Sequence, residues 1–145
     1  MHDDSKESKY RVIPIVCVDD RFGMAFNKRR CSSDVAVLKD ILGRTENARL
    51  WTDSYSAKLF SPESEILVDD RAFEKAEAGE YVFCERVDPG KYQDRIEKVL
   101  VYFWNRKYPS DTKLTLDPEQ WNRTIITEFP GHSHEKITLE EWTRK

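Results

Sequence analysis

Residues 11–18, RVIPIVCV, limit what this chain can fold into more than any other stretch. The run is almost continuously apolar and rich in β-branched side chains, which fit a pleated strand better than a helix. With no alternating polar face, such a strand has to be covered on both sides, as strands are in a parallel sheet between helices. Pro14 lacks an N–H and therefore has to sit where the ladder asks for none.

The remaining elements follow from spacing and punctuation. A loop, DDRFGMAFNKRRC, leads to a helix that Ser32 or Ser33 caps, with Val35, Leu38, Ile41 and Leu42 at helical intervals and Gly43 near its end. Short strands are expected at 48–52, 65–68, 81–84 and 99–104. Between them helices are expected at 55–60, capped by Asp53 or Ser54 and stopped by Pro62, at 70–78, capped by Asp70, and at 92–97. The last third changes character, with strands at 113–116, 121–129 and 135–142 separated by turns rich in Pro, Gly and Asp. Strands alternating with helices, then a β-rich end, predict an α/β domain over 11–145 with a mostly parallel central sheet and an antiparallel C-terminal edge. Residues 1–10 are polar and read as a flexible extension.

Charge and composition exclude several functions. A net charge of -3 lacks the basic surplus that phosphate neutralisation demands of a nucleic-acid binder, and Lys28-Arg29-Arg30 is too short to supply one. No apolar run approaches the roughly 20 residues of a membrane span. Three cysteines, Cys17, Cys31 and Cys84, have neither an even count nor a zinc-ligand spacing. They read as thiols of a reducing, cytoplasmic compartment. The sequence leaves the oligomeric state open.

At this point the residues resemble a known family. IVCVDDRFGMAFN, with Asp19, Gly23 and Met24, is similar to the first strand and mobile loop of dihydrofolate reductases. Asp34 in SSDVAVLKDIL, followed by Leu38 and Lys39, resembles that family's acidic helix start. Lys98-Val99-Leu100-Val101, Ser110-Asp111-Thr112, Asp117-Pro118-Glu119-Gln120-Trp121, Glu128-Phe129 and the closing strand continue the resemblance. It covers about residues 11–60 and 80–145. The middle is shorter, as though one strand and the segment carrying the family's tail-binding Arg were missing.

The resemblance implies a three-layer dihydrofolate-reductase-like fold and a site. Asp34 takes the place of the carboxylate that pairs with the amidine-like edge of a pteridine and supports its protonation, the catalytic position. Ile15, Met24, Leu38, Cys84 and Tyr102 join Asp34 as the expected substrate-binding set, with Tyr102 where a smaller Thr is usual, narrowing or filling the space. On the cofactor side, Ser54, Ser56 and Arg86 are the residues left to hold NADPH phosphates. Asp53 there repels an anion, Glu85-Arg86 replace a Gly-Gly pair, and Arg30-Cys31 replace Pro-Trp. The expectation is a binder of a small planar, pteridine-like ligand with weak or absent NADPH-dependent reduction. The alternatives are a working NADPH-dependent oxidoreductase or a non-catalytic interaction module on the same framework.

Two further clusters carry chemistry of their own. Cys31 follows three basic residues, which favour a thiolate, but no base is placed beside it, and an incidental thiol is expected. His132-Ser133-His134-Glu135 has the residue types of a metal site, yet after Pro130-Gly131 it reads as a polar hairpin turn, and no metal is expected.

Overall fold

The computed structural model describes residues 12–145. The expected N-terminal extension, residues 1–10, lies outside them. A seven-stranded sheet runs in the order β5 (Leu67–Val68), β4 (Leu50–Thr52), β6 (Tyr81–Phe83), β1 (Ile13–Val18), β7 (Lys98–Phe103), β10 (Ile137–Arg144), β9 (Trp121–Phe129). β5, β4, β6, β1 and β7 are parallel, and β10 is antiparallel to both β7 and β9. The α/β class and the antiparallel C-terminal edge are as expected.

β1 is central, and Pro14 falls between the isolated Val12–Ile96 bridge and the β1–β7 ladder that starts at Ile15–Leu100. Its missing N–H therefore breaks no rung. Successive residues alternate between two cores. Val12 from the bridge just before β1, Val16 and Val18 of β1, Val82 of β6, Val99 and Val101 of β7 and Trp142 of β10 face one side. Ile13, Ile15, Phe83, Leu100, Tyr102 and Leu139 face the other, where Val37 and Ile41 of α1 (Val35–Arg44) cover them. Ala72 and Phe73 of α3 (Ala72–Lys75) cover the first side, which gives three layers.

Several expected elements are shorter. Helix 70–78 reduces to α3, because the Asp70 carboxylate turns back to Ser54 and Ala76 is already extended. Helix 55–60 reduces to α2 (Ser54–Ala57), capped by Asp53. The segment expected to be helical at 92–97 is a 3-10 stretch over Pro89–Arg95. Strand 113–116 is only β8 (Thr112–Lys113), and it pairs with β2 (Gly23–Phe26), which with β3 (Arg29–Arg30) forms a small second sheet inside the expected loop. Asn27 and Lys28 link β2 and β3 with φ of 51° and 63°, the left-handed pair a two-residue hairpin requires.

Asp19 anchors this second sheet to the first. It is fully buried, and its carboxylate accepts from the N–H groups of Arg21, Gly23 and Tyr108. Gly23 has no room for a side chain, since a Cβ would stand 2.4 Å from Ser110 Oγ and 2.9 Å from Asp19 Oδ1. Gly23→Ala is expected to lower the unfolding free energy by about 1–3 kcal/mol, the usual range for overpacking, in a urea titration.

Candidate functional site

Asp34 is the last extended residue before α1, at φ -154° and ψ 127°, and its Oδ1 accepts from Ala36 N at 2.9 Å. The helix cap is thus Asp34, just beyond the expected Ser32 or Ser33. The turn between β9 and β10 then closes over the same carboxylate. His132 N donates to Oδ1 at 2.8 Å, while Ser133 N, Ser133 Oγ and His134 Nδ1 reach Oδ2 at 2.9, 3.2 and 2.8 Å. Gly131 makes the approach possible, because a Cβ there would stand 2.6 Å from Asp34 Oδ2. Burial pushes the carboxyl pKa up. The hydrogen bonds from His134, His132, Ser133 and Ala36 outweigh that and hold it far below the usual carboxylate range.

His134 is as enclosed as its partner, with a side chain 2% exposed. Its ring stacks on Trp104 at 4.6 Å between centroids, inclined by 20°. An ionised carboxylate only accepts, so Nδ1 carries a hydrogen, and in the neutral ring Nε2 presents its lone pair. Two hydroxyls meet that lone pair, Ser32 Oγ at 3.1 Å and Tyr108 OH at 3.0 Å. The segment from His132 to Glu135 is therefore a hairpin turn with one inward histidine. Among the described residues no group of three His, Cys, Asp or Glu side chains is placed to hold a metal. A histidine three residues past a turn glycine gives no sequence signal that it turns inward.

The structure divides the other expected substrate-binding residues. Ile15 and Tyr102 lie in the core beneath α1, and Leu38 packs onto that core from α1 itself, on the side where Asp34 caps the helix. Met24 and Cys84 belong to the core on the opposite face of the sheet. Tyr102 is fully buried and donates its hydroxyl to Asp40 Oδ2 at 2.5 Å, so the larger side chain fills its space. Cys31 is half-buried against the Pro109 carbonyl, and burial together with Asp19 and Asp111 pushes its pKa up to about 11. The basic run before it does not produce a thiolate.

The expected cofactor-binding residues are engaged internally. Ser54 donates both its N–H and its hydroxyl to Asp70 Oδ1, at 2.9 and 2.8 Å. Ser56 N donates to Asp53 Oδ1 at 2.8 Å, and Ser56 Oγ donates to Glu85 Oε1 at 2.7 Å. Arg30 Nε holds the other Glu85 oxygen at 2.8 Å. The Arg86 guanidinium lies 3.9 Å from the centre of the Tyr55 ring, with Nη1 on the Lys28 carbonyl. The donors at the start of α2 that a phosphate would need already serve carboxylates. The residues present do not fit the phosphates of a dinucleotide.

Beside them, at the C-terminal ends of β4 and β6, opens a small cleft of about 60 Å³. Asp53, Asp70, Glu74 and Glu85 line it together with Arg71 and an apolar wall that includes Val82, Phe83 and Val87. Phe73 and Tyr92, stacked at 4.3 Å, also line it. Sequence reasoning missed Asp70 and Glu74 here, because they come from a segment read as one helix.

The strand order, the two-sided core and the loop sheet can be compared with known folds. No family model matches the chain, and no curated protein matches it. Among solved structures, a dihydrofolate reductase from Enterococcus faecalis, complexed with NADP(H) and RAB-propyl, superposes with a TM-score of 0.64. The match covers 93% of this chain and 96% of that one at 10% sequence identity. The fold is dihydrofolate-reductase-like. At that identity the likeness speaks for the framework, and what a dihydrofolate-reductase-like framework does has to be argued from its own side chains. Within it, no helix among the described residues is long and apolar enough to cross a membrane.

Proposed function

We propose that this protein uses a dihydrofolate-reductase-like framework for binding a small planar, cationic heterocycle, without NADPH-dependent reduction. One observation carries the reading: Ser54 and Ser56 donate to Asp70, Asp53 and Glu85, so the start of α2 offers carboxylates where a phosphate would have to settle. An anionic dinucleotide meets repulsion there. A planar ring bearing an amidine or amino edge meets attraction, from the acidic wall and from the Phe73–Tyr92 pair behind it.

A second reading has a pteridine-like ring engaging Asp34 itself. Supporting it are the burial of Asp34 and its place at the head of α1. It requires the 130–134 turn to leave, since both carboxylate oxygens accept from that turn. The first reading needs no such rearrangement, and it is the one adopted.

Separate titrations with NADPH, dihydrofolate and 2,4-diaminopyrimidine, followed by thermal stability, test both. NADPH is expected to leave the unfolding midpoint unchanged. Diaminopyrimidine is expected to raise it in the parent protein and not in Asp70→Asn. Micromolar NADPH binding, with consumption of cofactor on adding dihydrofolate, would sink the proposal. A diaminopyrimidine shift that survives Asp70→Asn favours the Asp34 reading.

A further inference from the structure

Asp34, His134 and Ser32 form a chain of contacts with a chemical direction. Asp34 Oδ2 lies 2.8 Å from His134 Nδ1, and His134 Nε2 lies 3.1 Å from Ser32 Oγ. With Nδ1–H held by the carboxylate, the lone pair of the neutral imidazole faces the serine hydroxyl, with the Tyr108 hydroxyl beside it at 3.0 Å. We propose that Ser32, His134 and Asp34 are a nucleophile, base and orienting acid for acyl transfer, acting on small carboxylic esters.

Four features of the network suit that role beyond the distances. Asp34 is fixed independently of the histidine by three backbone N–H groups, from Ala36, His132 and Ser133, so it stays ionised and immobile while a proton moves next to it. The His134 ring is clamped by its stack on Trp104 and by the edge-on Tyr108 ring at 6.4 Å, which keeps Nε2 aimed. The Tyr108 hydroxyl stands 3.3 Å from Ser32 Oγ, a donor already beside the atom that would attack. Finally, Ser32 and Tyr108 are half-buried, whereas His134 and Asp34 are enclosed, so the reacting end is the open one.

The step balances without a cofactor. Ser32 Oγ adds to the ester carbonyl carbon as its proton passes to His134 Nε2, and the Tyr108 hydroxyl donates to the carbonyl oxygen as that oxygen becomes negative. The tetrahedral adduct collapses, the bond to the alcohol oxygen breaks, and the imidazolium returns its proton to that alcohol. Water, deprotonated by His134, then attacks the acyl-serine, releases the carboxylic acid and restores the hydroxyl. Asp34 stabilises the imidazolium throughout. None of this involves the cleft beside α2, so its failure leaves the proposed ligand site standing.

The test is labelling of the full chain with a fluorophosphonate, read by peptide mass spectrometry, alongside hydrolysis of p-nitrophenyl acetate. A phosphonyl adduct on Ser32 is expected, with loss of both adduct and the enzyme-dependent hydrolysis in Ser32→Ala. Ser32 is half-buried and at no helix cap, so that variant keeps its fold. Tyr108→Phe is expected to slow hydrolysis by roughly tenfold to a hundredfold, as loss of one oxyanion donor does, while thermal stability stays close to the parent. An unlabelled Ser32, an adduct confined to Ser33 or Ser133, or equal hydrolysis by Ser32→Ala would each overturn the assignment.

Discussion

Replacing Asp34 by alanine is expected to lower the unfolding free energy by about 3–5 kcal/mol, the range seen when one partner of a buried charged network is removed. The carboxylate accepts five hydrogen bonds, from Ala36, His132, Ser133 twice and His134. Its removal leaves backbone N–H groups of the 130–134 turn facing an apolar gap and strands a histidine whose side chain is 2% exposed. Asparagine repairs little of this, because its NH₂ would meet one of those N–H groups donor against donor. Urea unfolding with linear extrapolation measures the loss, and a value under about 1 kcal/mol would mean the turn is not held by Asp34.

The same network sets a pH dependence. The folded carboxyl sits far below its unfolded value, so Asp34 contributes stability that is complete above about pH 4, the ordinary carboxylate range, and is lost as pH falls below it. Asp34→Ala is expected to flatten that acid limb.

How far the fold is written in the sequence depends on what holds each element. β1 and β7 are long apolar runs whose positions follow from side-chain pattern alone, whereas β9 leaves Ile125 and Ile126 exposed and has no alternating buried face. The β2–β3 hairpin does not announce itself, since its turn pairs Asn27 with Lys28 in place of the usual glycine. The short α3 is cut back by Asp70 bonding sixteen residues away, to Ser54, a contact with no local signature.

The site is legible to a different degree. The position of Asp34 at the head of α1 follows from helix punctuation and from the resemblance together. Its partners lie about a hundred positions away in the 130–134 turn, and only the return of β10 alongside β7 brings them to it. A turn sequence of Gly, His, Ser and His has many solvent-exposed solutions, and the inward one is selected by the Trp104 face and the waiting carboxylate. Asp53 shows the opposite case. Its capping role is local, to Ser56, the third residue of α2, so the obstacle it presents to phosphate could be read directly from the chain.

Trp142→Ala is expected to cost about 3–5 kcal/mol as well, by cavity formation, and to do so without touching the Asp34 network. Trp142 is fully buried in the core on the opposite face of the sheet from Asp34 and α1. Its ring meets Phe22 edge-on at 6.0 Å and receives the Arg123 guanidinium at 4.9 Å, while its Nε1–H donates to Glu140. Truncation removes the packing, the cation–π contact and the hydrogen bond together, so the thermal midpoint should fall by about 10 °C or more. Phenylalanine keeps a ring there and should lose less than alanine does. At a temperature where Trp142→Phe is folded, Ser32 labelling is expected to match the parent, whereas Asp34→Asn should abolish it. If Trp142→Phe slowed labelling as much as it reduced stability, the two faces would be coupled through β10, and the separation between framework and site drawn from the alternating core would be wrong.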